Sequence, residues 1–569
     1  LGEKMEFKLG IANILNDNID VLSQQEIYEI LEVPPNSEMG DFSFPCFKLS
    51  KALRKSPQAI AEELSNKIDK PIFIKQIKVV SGYLNFYIDS HTIIKQTLDK
   101  VLEEKTEYCK KKANNKNIII DYSSPNIAKP FHIGHIRTTV IGHALYNLYK
   151  FMGYNVIGIN HLGDYGTQFG KLIVAYKKWG NEDLLKQEPI KTLLALYVKF
   201  HEEEEKDSSL TDEARMWFKK LEDGDEEAKK LWLFFREESL KEFSKVYDML
   251  GIKFDSYNGE SFYSDKMPAV LEELKEKNLL KSSQGTTIVD LEEYGLGAAL
   301  VQKNDGSTLY LTRDLAAAKY RKETYNFYKT LYVVASQQML HFKQMKQVLK
   351  LMGYDWSDDC IHVMFGMVSL EEGTLSTRRG NVVFLEDVLN NAIKKTRAII
   401  EEKNPNIANI DELSRQIGVG AVIFQELANS RIKDYVFSME KTLSFDGETG
   451  PYVQYSYARA CSVIRKSNGF DFSSATYESL SENEEAMNII KIISTFDEVL
   501  TKAENKNEPH HIARYVLDLS QAFNKFYHSN PINVDEAEIK KDRLALTLAV
   551  TYAIETAMSI FGIQTPKQM

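Results

Sequence analysis

Residues 117–160 read NIIIDYSSPNIAKPFHIGHIRTTVIGHALYNLYKFMGYNVIGIN, and this stretch decides the fold. Its first five residues, "NIIID", are a short apolar run stopped by Ser, Ser, Pro and Asn, the pattern of a buried strand entering a turn. From His132 onward, Ile136, Val140, Ile141, Leu145, Leu148 and Met152 recur at helical spacing. Gly153 supplies a helix stop, and "NVIGIN" returns to strand. Strand, helix and strand in that order predict a βαβ unit, and with it a parallel sheet. The later runs "TLYLTR", "TLYVVAS" and "CIHVMFGMV" read as further strands, which makes residues 113–384 a doubly wound parallel sheet.

Working outward, residues 1–112 mix helical and strand-like pieces and close on the alternating "KVVSGYLNFYID" and the amphipathic "SHTIIKQTLDKVLEEK", which predicts a small α/β domain. The polar "KKKANNKN" is the linker into the sheet. Between the second and third strands, residues 168–260 are charged and helical, and read as a helical insertion. Its glutamate run, Glu202 to Glu205, fits a solvated helix face better than a metal site, because hard-metal cages draw oxygens from several segments. From residue 385 to 569 every periodic stretch is helical, which predicts a helical bundle. The expected whole is a multidomain α/β plus all-α chain.

Bulk properties agree with a globular enzyme. The 569 residues exceed one ordinary domain, with 43% hydrophobic and 27% charged residues and no repetitive tract. No apolar run reaches the roughly 18 to 20 residues that span a bilayer, and no signal-peptide core is present, so a cytoplasmic location with no membrane partner is expected. The residues before Met5 are set aside as an expected cloning remnant. Cys46, Cys109, Cys360 and Cys461 are scattered, which disfavours zinc and disulfides, so no protein-bound structural metal is expected. A net charge of -10 argues against a wholly basic nucleic-acid coat but leaves local basic surfaces open.

The chemistry is sought first in His132-Ile133-Gly134-His135. Glycine in the first turn of a helix costs about 1 kcal/mol relative to alanine, so a close-packed ligand is a reason for Gly134. A helix N-terminus offers free N–H groups to a phosphate, and the histidines can donate to its oxygens. The stretch reads as an ATP cradle at the carboxyl end of the first strand; surface histidines or a metal pair are the alternatives. A second phosphate candidate is "STRRGNVV", residues 376–383, where Ser376, Arg378 and Arg379 precede Gly380 in a loop suited to a pyrophosphate leaving group. A basic surface turn is its alternative.

Together these two motifs resemble the signatures of class I aminoacyl-tRNA synthetases. "SSPNIAKPFHIGHIRTTVIGHAL", "HLGDYGTQFGKL", "YLTRDLAAAKYR", "SQQMLHFKQ", "STRRGNVVFLEDVL" and "GPYVQYSYARACSVIRK" narrow the resemblance to the arginyl-tRNA synthetase family, over essentially the whole chain. The resemblance implies a class I Rossmann-type catalytic core, an N-terminal domain that touches the tRNA elbow and a C-terminal helical anticodon-binding domain. It implies two-step chemistry: L-arginine and ATP give arginyl-adenylate and pyrophosphate, then a ribose hydroxyl at the 3' end of tRNA(Arg) takes the arginyl group and AMP leaves. Magnesium is expected to arrive with ATP, tRNA is expected to be needed even for the first step, and a monomer is expected.

The resemblance also assigns residues. Asp121, Ser124 and Asn126 fall around the amino and carboxyl groups of arginine, with Tyr310, Asp314 and Gln338 at its side chain. On its own Asp314 reads as a helix N-cap, and Ser-Pro-Asn as a turn. Asp164, Gly166 and Gln168 are expected in the pocket wall. The family's second signature is usually Lys-Met-Ser-Lys-Ser, whereas Leu375-Ser376-Thr377-Arg378-Arg379 lacks the lysine; Lys129 is implied as its substitute, acting with His132, Gly134 and His135. Tyr452, Gln454, Tyr455, Tyr457 and Arg459 suit stacking on anticodon bases, or else packing in a bundle core. An adenylyltransferase for another small acid, or an inactive tRNA-binding relative, would share part of this pattern.

Overall fold

The computed structural model describes residues 3–34, 36, 39–283, 285–303, 310–370, 383–467, 471 and 474–569. An N-terminal antiparallel sheet has the order β1-β3-β2, from β1 (Phe42–Pro45), β2 (Ile74–Val80) and β3 (Tyr83–Ile88). The central sheet is parallel and contains β4 (Asn117–Asp121) and β5 (Asn155–Ile159). After a separate antiparallel sheet, β6 (Leu280–Ser283), β7 (Thr286–Asp290) and β8 (Ala298–Gln302), the central sheet resumes with β9 (Lys329–Tyr332) and β10 (Cys360–His362). Its order is β10-β9-β4-β5, with Ile120 of β4 opposite Gly158 on one side and Leu331 on the other.

The run of isoleucines in β4 explains the two-sided winding. Ile118, Ile119 and Ile120 are all fully buried, as a strand covered on both faces requires. Alternation sends Ile118 and Ile120 into the core shared with Val140 and Leu145 of the helix Ile136–Phe151. Ile119 enters a second core with Leu311 and Leu315 of the helix Tyr310–Tyr325. Each such side chain contributes about 1.5–3 kcal/mol. Gly142 lets the first of these helices lie directly on the residue after β4, since a Cβ there would sit 2.2 Å from the Tyr122 Cβ. Gly153, at φ 84°, then turns the chain back toward β5. Because β5 lies on one side of β4 and β9 on the other, the strand order reverses at the carboxyl ends of β4 and β9, where doubly wound sheets open a crevice.

Five helices, Thr167–Trp179, Glu182–Gln187, Pro189–Glu204, Ser209–Glu222 and Glu226–Leu250, follow β5. Glu204 there bonds Lys171 at 2.9 Å and Glu203 bonds Lys206 at 2.9 Å. The C-terminal region is built of helices from Leu385–Lys403 to Ala537–Ile560, whose core is continuous with that of the helix Ile136–Phe151.

The structure corrects two strand readings and several that depend on them. Tyr310–Arg313, the described part of "TLYLTR", is the first turn of a helix. Leu311, Leu315 and Ala318 supply its buried stripe, and Thr312 Oγ1 donates to Val301 O at 2.8 Å. Asp314 is the fifth residue of that helix and so is not its N-cap. "CIHVMFGMV" is not one strand: β10 ends at His362, and β11 (Val368–Leu370) pairs in parallel with β12 (Tyr435–Phe437). The break falls at Gly366, whose N–H donates to Arg431 O at 2.8 Å and where a Cβ would meet Asp434 at 2.6 Å. β12 interrupts the run of helices expected after residue 385, and the β6-β7-β8 sheet went unanticipated.

Candidate active site

β4 delivers Asp121 to the crevice, and the turn after it is strained. Ser123, Ser124 and Ala128 have φ of 68°, 47° and 60°, a region that costs residues with side chains of order 1 kcal/mol or more each. Each is pinned from a different element. Ser123 N–H donates to Thr138 Oγ1 (3.0 Å), Ser124 N–H to Asn160 Oδ1 (3.1 Å) and Ala128 N–H to Ser239 Oγ (3.0 Å). Tyr247 OH adds bonds to Ser123 Oγ and Asn160 Nδ2. Strain held this way keeps the turn in one shape before any ligand arrives. Within it Ser124 Oγ donates to Asp121 Oδ1 at 2.9 Å, while Asn126 is exposed and bridges Gly163.

The histidine turn comes next. Ile133–His135 form one 3-10 turn leading into the helix Ile136–Phe151. Gly134 N–H donates to His132 Nδ1 (3.0 Å) and His132 N–H to His135 Nδ1 (3.2 Å), and the rings lie 4.0 Å apart. Burial pulls the His132 pKa below its ordinary value. Burial takes His135 to about 3, with His132 and the nearby half-buried Lys129 adding to the fall. Both rings are therefore neutral near pH 7. With each Nδ1 accepting a backbone N–H, each proton sits on Nε2, giving two neutral donors. Ile133 N–H also donates to Val383 O (3.1 Å) and Leu385 N–H to Phe131 O (2.9 Å). The residues just beyond the second signature thus bond to this turn. Ser376, Arg378, Arg379 and Gly380 themselves lie outside the described residues.

The helix Tyr310–Tyr325 carries the next set of groups. Asp314 Oδ2 is 2.5 Å from His341 Nε2. Burial works against the Asp314 charge, but the His341 bond wins and holds its pKa below the ordinary value; the same contact, outweighing burial, raises that of His341. Tyr310 is 67% exposed at the start of the helix, its ring 5.5 Å from the Arg313 guanidinium, which pairs with Glu260 at 3.0 Å. Gln338 is exposed, immediately before the helix Met339–Leu351. Asp164 is buried, accepting from Arg236 Nε (3.1 Å) and Ser261 N–H (2.8 Å), and Gly166 caps the helix Thr167–Trp179 that holds Gln168.

In the helix Gly450–Lys466 the aromatic positions divide. Tyr455 is exposed, and Arg459 lies between its ring (4.8 Å) and that of Tyr527 (5.2 Å). These residues line a cavity of about 980 Å³ with Arg465, Lys466 and His528. Tyr452 is half-buried and accepts from Asn524 Nδ2 at 3.0 Å. Gln454 takes the second of the two alternatives, packing in the bundle: it is fully enclosed, donating to Gln416 O (3.2 Å) and Gln564 O (2.7 Å), and Tyr457 is likewise a core residue. Sequence reasoning missed His341, Glu260, Arg313 and Arg321. His341 stands three residues from Gln338 in a segment already singled out, whereas nothing local in the sequence marks the partners of Glu260, Arg313 and Arg321.

A parallel sheet whose first crossover begins at this histidine turn, with Asp121 at the end of its central strand and a C-terminal helical region packed on the crossover helix, defines a class I tRNA synthetase. Family models match along the chain: an arginyl tRNA synthetase N-terminal domain over residues 6–88, the catalytic domain of class I (R) tRNA synthetases over 97–439 and a DALR anticodon binding domain over 453–569. The chain is 58% identical to an arginine–tRNA ligase of Clostridioides difficile and 55% identical to one of Halothermothrix orenii, in each case over 99% of this chain and 100% of the relative. The solved arginyl-tRNA synthetase of Plasmodium falciparum superposes with a TM-score of 0.79 at 27% identity, over 100% of this chain and 99% of that one. The chain belongs to the arginyl-tRNA synthetase family.

Proposed function

We infer that this chain is an arginine–tRNA ligase that activates L-arginine with ATP and passes it to the 3' end of tRNA(Arg). The observation that carries the arginine reading is Asp314, a partly exposed carboxylate kept ionised by His341, one helical turn from exposed Tyr310. A guanidinium is always charged and calls for such an acceptor. The pinned turn offers Ser124 and Asn126 to the amino and carboxyl groups, with Asp121 behind Ser124 as its acceptor. Gln338 completes the side-chain pocket in this reading.

The arginine carboxylate attacks the α-phosphorus, a P–O bond forms and the bond to pyrophosphate breaks. The two neutral Nε2–H groups of His132 and His135 are suited to donate to phosphate oxygens, as neutral donors rather than as cations. Gly134 holds their spacing through its own N–H. The positive charge comes from Lys129, from Arg378 and Arg379 of the second signature, to which with Ser376 and Gly380 we assign binding of the pyrophosphate, and from the magnesium that enters with ATP as substrate. No covalent enzyme intermediate is needed, so the rate rests on positioning and electrostatics.

For the tRNA, Arg459 held between Tyr455 and Tyr527 beside Arg465 and Lys466 supports a base-stacking site in the helical domain, and Tyr452 supports it from behind. We propose the working units as residues 1–112, 113–384 and 385–569, the chain acting as a cytoplasmic monomer. Among the described residues no helix is long and apolar enough to cross a membrane. The test is formation of aminoacyl-tRNA with labelled arginine, lysine or citrulline. Arginine alone should charge tRNA(Arg), and charging by uncharged citrulline would remove the role of Asp314.

A further inference from the structure

Arg137 lies two residues beyond His135, in the first turn of the helix Ile136–Phe151, and is wholly buried. Its Nη1 donates to two carbonyls from distant segments, Gly366 O at 2.9 Å and Lys433 O at 2.8 Å. Its Nε lies 3.3 Å from Oε2 of Glu426, a fully enclosed residue of the helix Ile410–Ala428. Tyr435 OH donates to Glu426 Oε1, and the Phe365 and Tyr435 rings flank the guanidinium at 6.0 and 5.3 Å. Gly366 precedes β11, Tyr435 opens β12, and β11 packs against the histidine turn. One side chain thus ties that turn to the β11–β12 pair and to the helical region.

Folding stability is a poor reason for this arrangement. The Arg137 Nε and Glu426 Oε2 lack hydrogen-bond geometry, and Arg137 Nη2 has no hydrogen-bond partner among the described residues. A buried pair left incompletely satisfied is often no better for folding than two apolar side chains of similar volume. What two apolar side chains cannot do is hold two carbonyls at fixed distances from one helix turn, which a planar guanidinium does. The group next to Arg137 that needs such fixing is the pair of Nε2–H donors on His132 and His135, because small misplacements at a reacting phosphate are costly in rate.

We propose that Arg137 is a positioning residue for adenylate formation: it sets the histidine turn against β11 and, through Glu426, makes that spacing depend on how the helical domain is seated. The proposal rests on the reading of His132 and His135 as nucleotide-binding.

The test compares Arg137→Lys, Arg137→Met and the double variant Arg137→Met/Glu426→Leu in the full chain. Thermal unfolding is measured beside arginine-dependent exchange of labelled pyrophosphate into ATP, with tRNA(Arg) present and KM determined separately for ATP and arginine. Arg137→Lys keeps the charge and loses the fork; it should lower kcat or raise the ATP KM by about tenfold while the arginine KM stays within about twofold. The double variant should regain the thermal stability lost in Arg137→Met but not the exchange rate. Unchanged exchange in Arg137→Lys, an equal rise in both KM values, or recovery of exchange with stability in the double variant would each show a purely structural bridge. If the double variant does not fold, Arg137→Lys decides alone. A wild type that exchanges nothing overturns the functional reading instead.

Discussion

Asp121 Oδ2 and Arg321 Nη2 lie 2.8 Å apart, both side chains nearly without exposure, joining the end of the central strand to the helix Tyr310–Tyr325. Burial opposes the Arg321 charge, and Asp121, with Tyr263 and Tyr332 beside it, outweighs that and keeps the guanidinium cationic. The pair ties the strand that leads into the Ser124 turn to the helix that carries Asp314.

Removing one partner of this pair strands a buried charge. Arg321→Met should therefore cost about 3–5 kcal/mol in urea unfolding, and Asp121→Asn/Arg321→Met should recover much of it. A loss in the single variant below about 1 kcal/mol, as for exposed ion pairs, would contradict the pairing.

The His341–Asp314 contact gives arginine binding a pH dependence of known sign. His341 has a raised pKa, so its contribution to the pair is complete below its ordinary value of about 6.5 and is lost as pH rises through the raised one. Asp314, lowered, contributes above its own ordinary value and fails only as pH falls through the depressed one. A cationic His341 competes with the guanidinium, so the arginine KM should fall as His341 loses its proton. Arg321, His161, Glu260 and His362 also bear on this pair. His341→Asn should flatten the profile, and an unchanged profile in that variant assigns the dependence to another group.

Lys129 is close enough to depress His135. Lys129→Ala should lower the pyrophosphate exchange rate by about 100-fold with little change in thermal unfolding. Wild-type exchange in this variant would leave the missing lysine of the second signature without a substitute on this loop.

Glu426 has its pKa pushed up by burial to about 8, with Arg137 acting in the opposite direction. A carboxyl with a raised folded pKa is stabilising in its protonated form, so its contribution is present below the ordinary value and lost as pH rises toward 8. Stability should decline over that range, and Glu426→Gln should decline less. Calorimetric unfolding across pH 5–8 reads this directly, and parallel profiles would place the titration elsewhere.

The βαβ unit from Asn117 to Asn160 was legible because its strand is short and wholly apolar and its helix repeats at one clear period. Tyr310–Arg313 misled because a helix buried on most sides loses the polar face that marks its period. Arg137 and Arg321 could not be read at all. In sequence each is an ordinary helix charge, and its burial depends on Glu426 and Asp121, far away along the chain. Gln454 was ambiguous for the converse reason: among tyrosines it suited either RNA contact or packing in the bundle, and only the fold shows its Nε2 donating to two backbone carbonyls in the interior. The Ser-Ser-Pro-Asn turn was visible as a turn, while the strain in Ser123 and Ser124 depends on Thr138 and Asn160 and could not be seen before folding.

The most direct measurement is arginine-dependent exchange of labelled pyrophosphate into ATP with tRNA(Arg) present, for the wild type and Asp314→Asn. The wild type should exchange with arginine and not with citrulline, and Asp314→Asn should raise the arginine KM by at least about tenfold with the ATP KM unchanged. Exchange that ignores the identity of the amino acid, or that survives Asp314→Asn unaltered, would contradict the account.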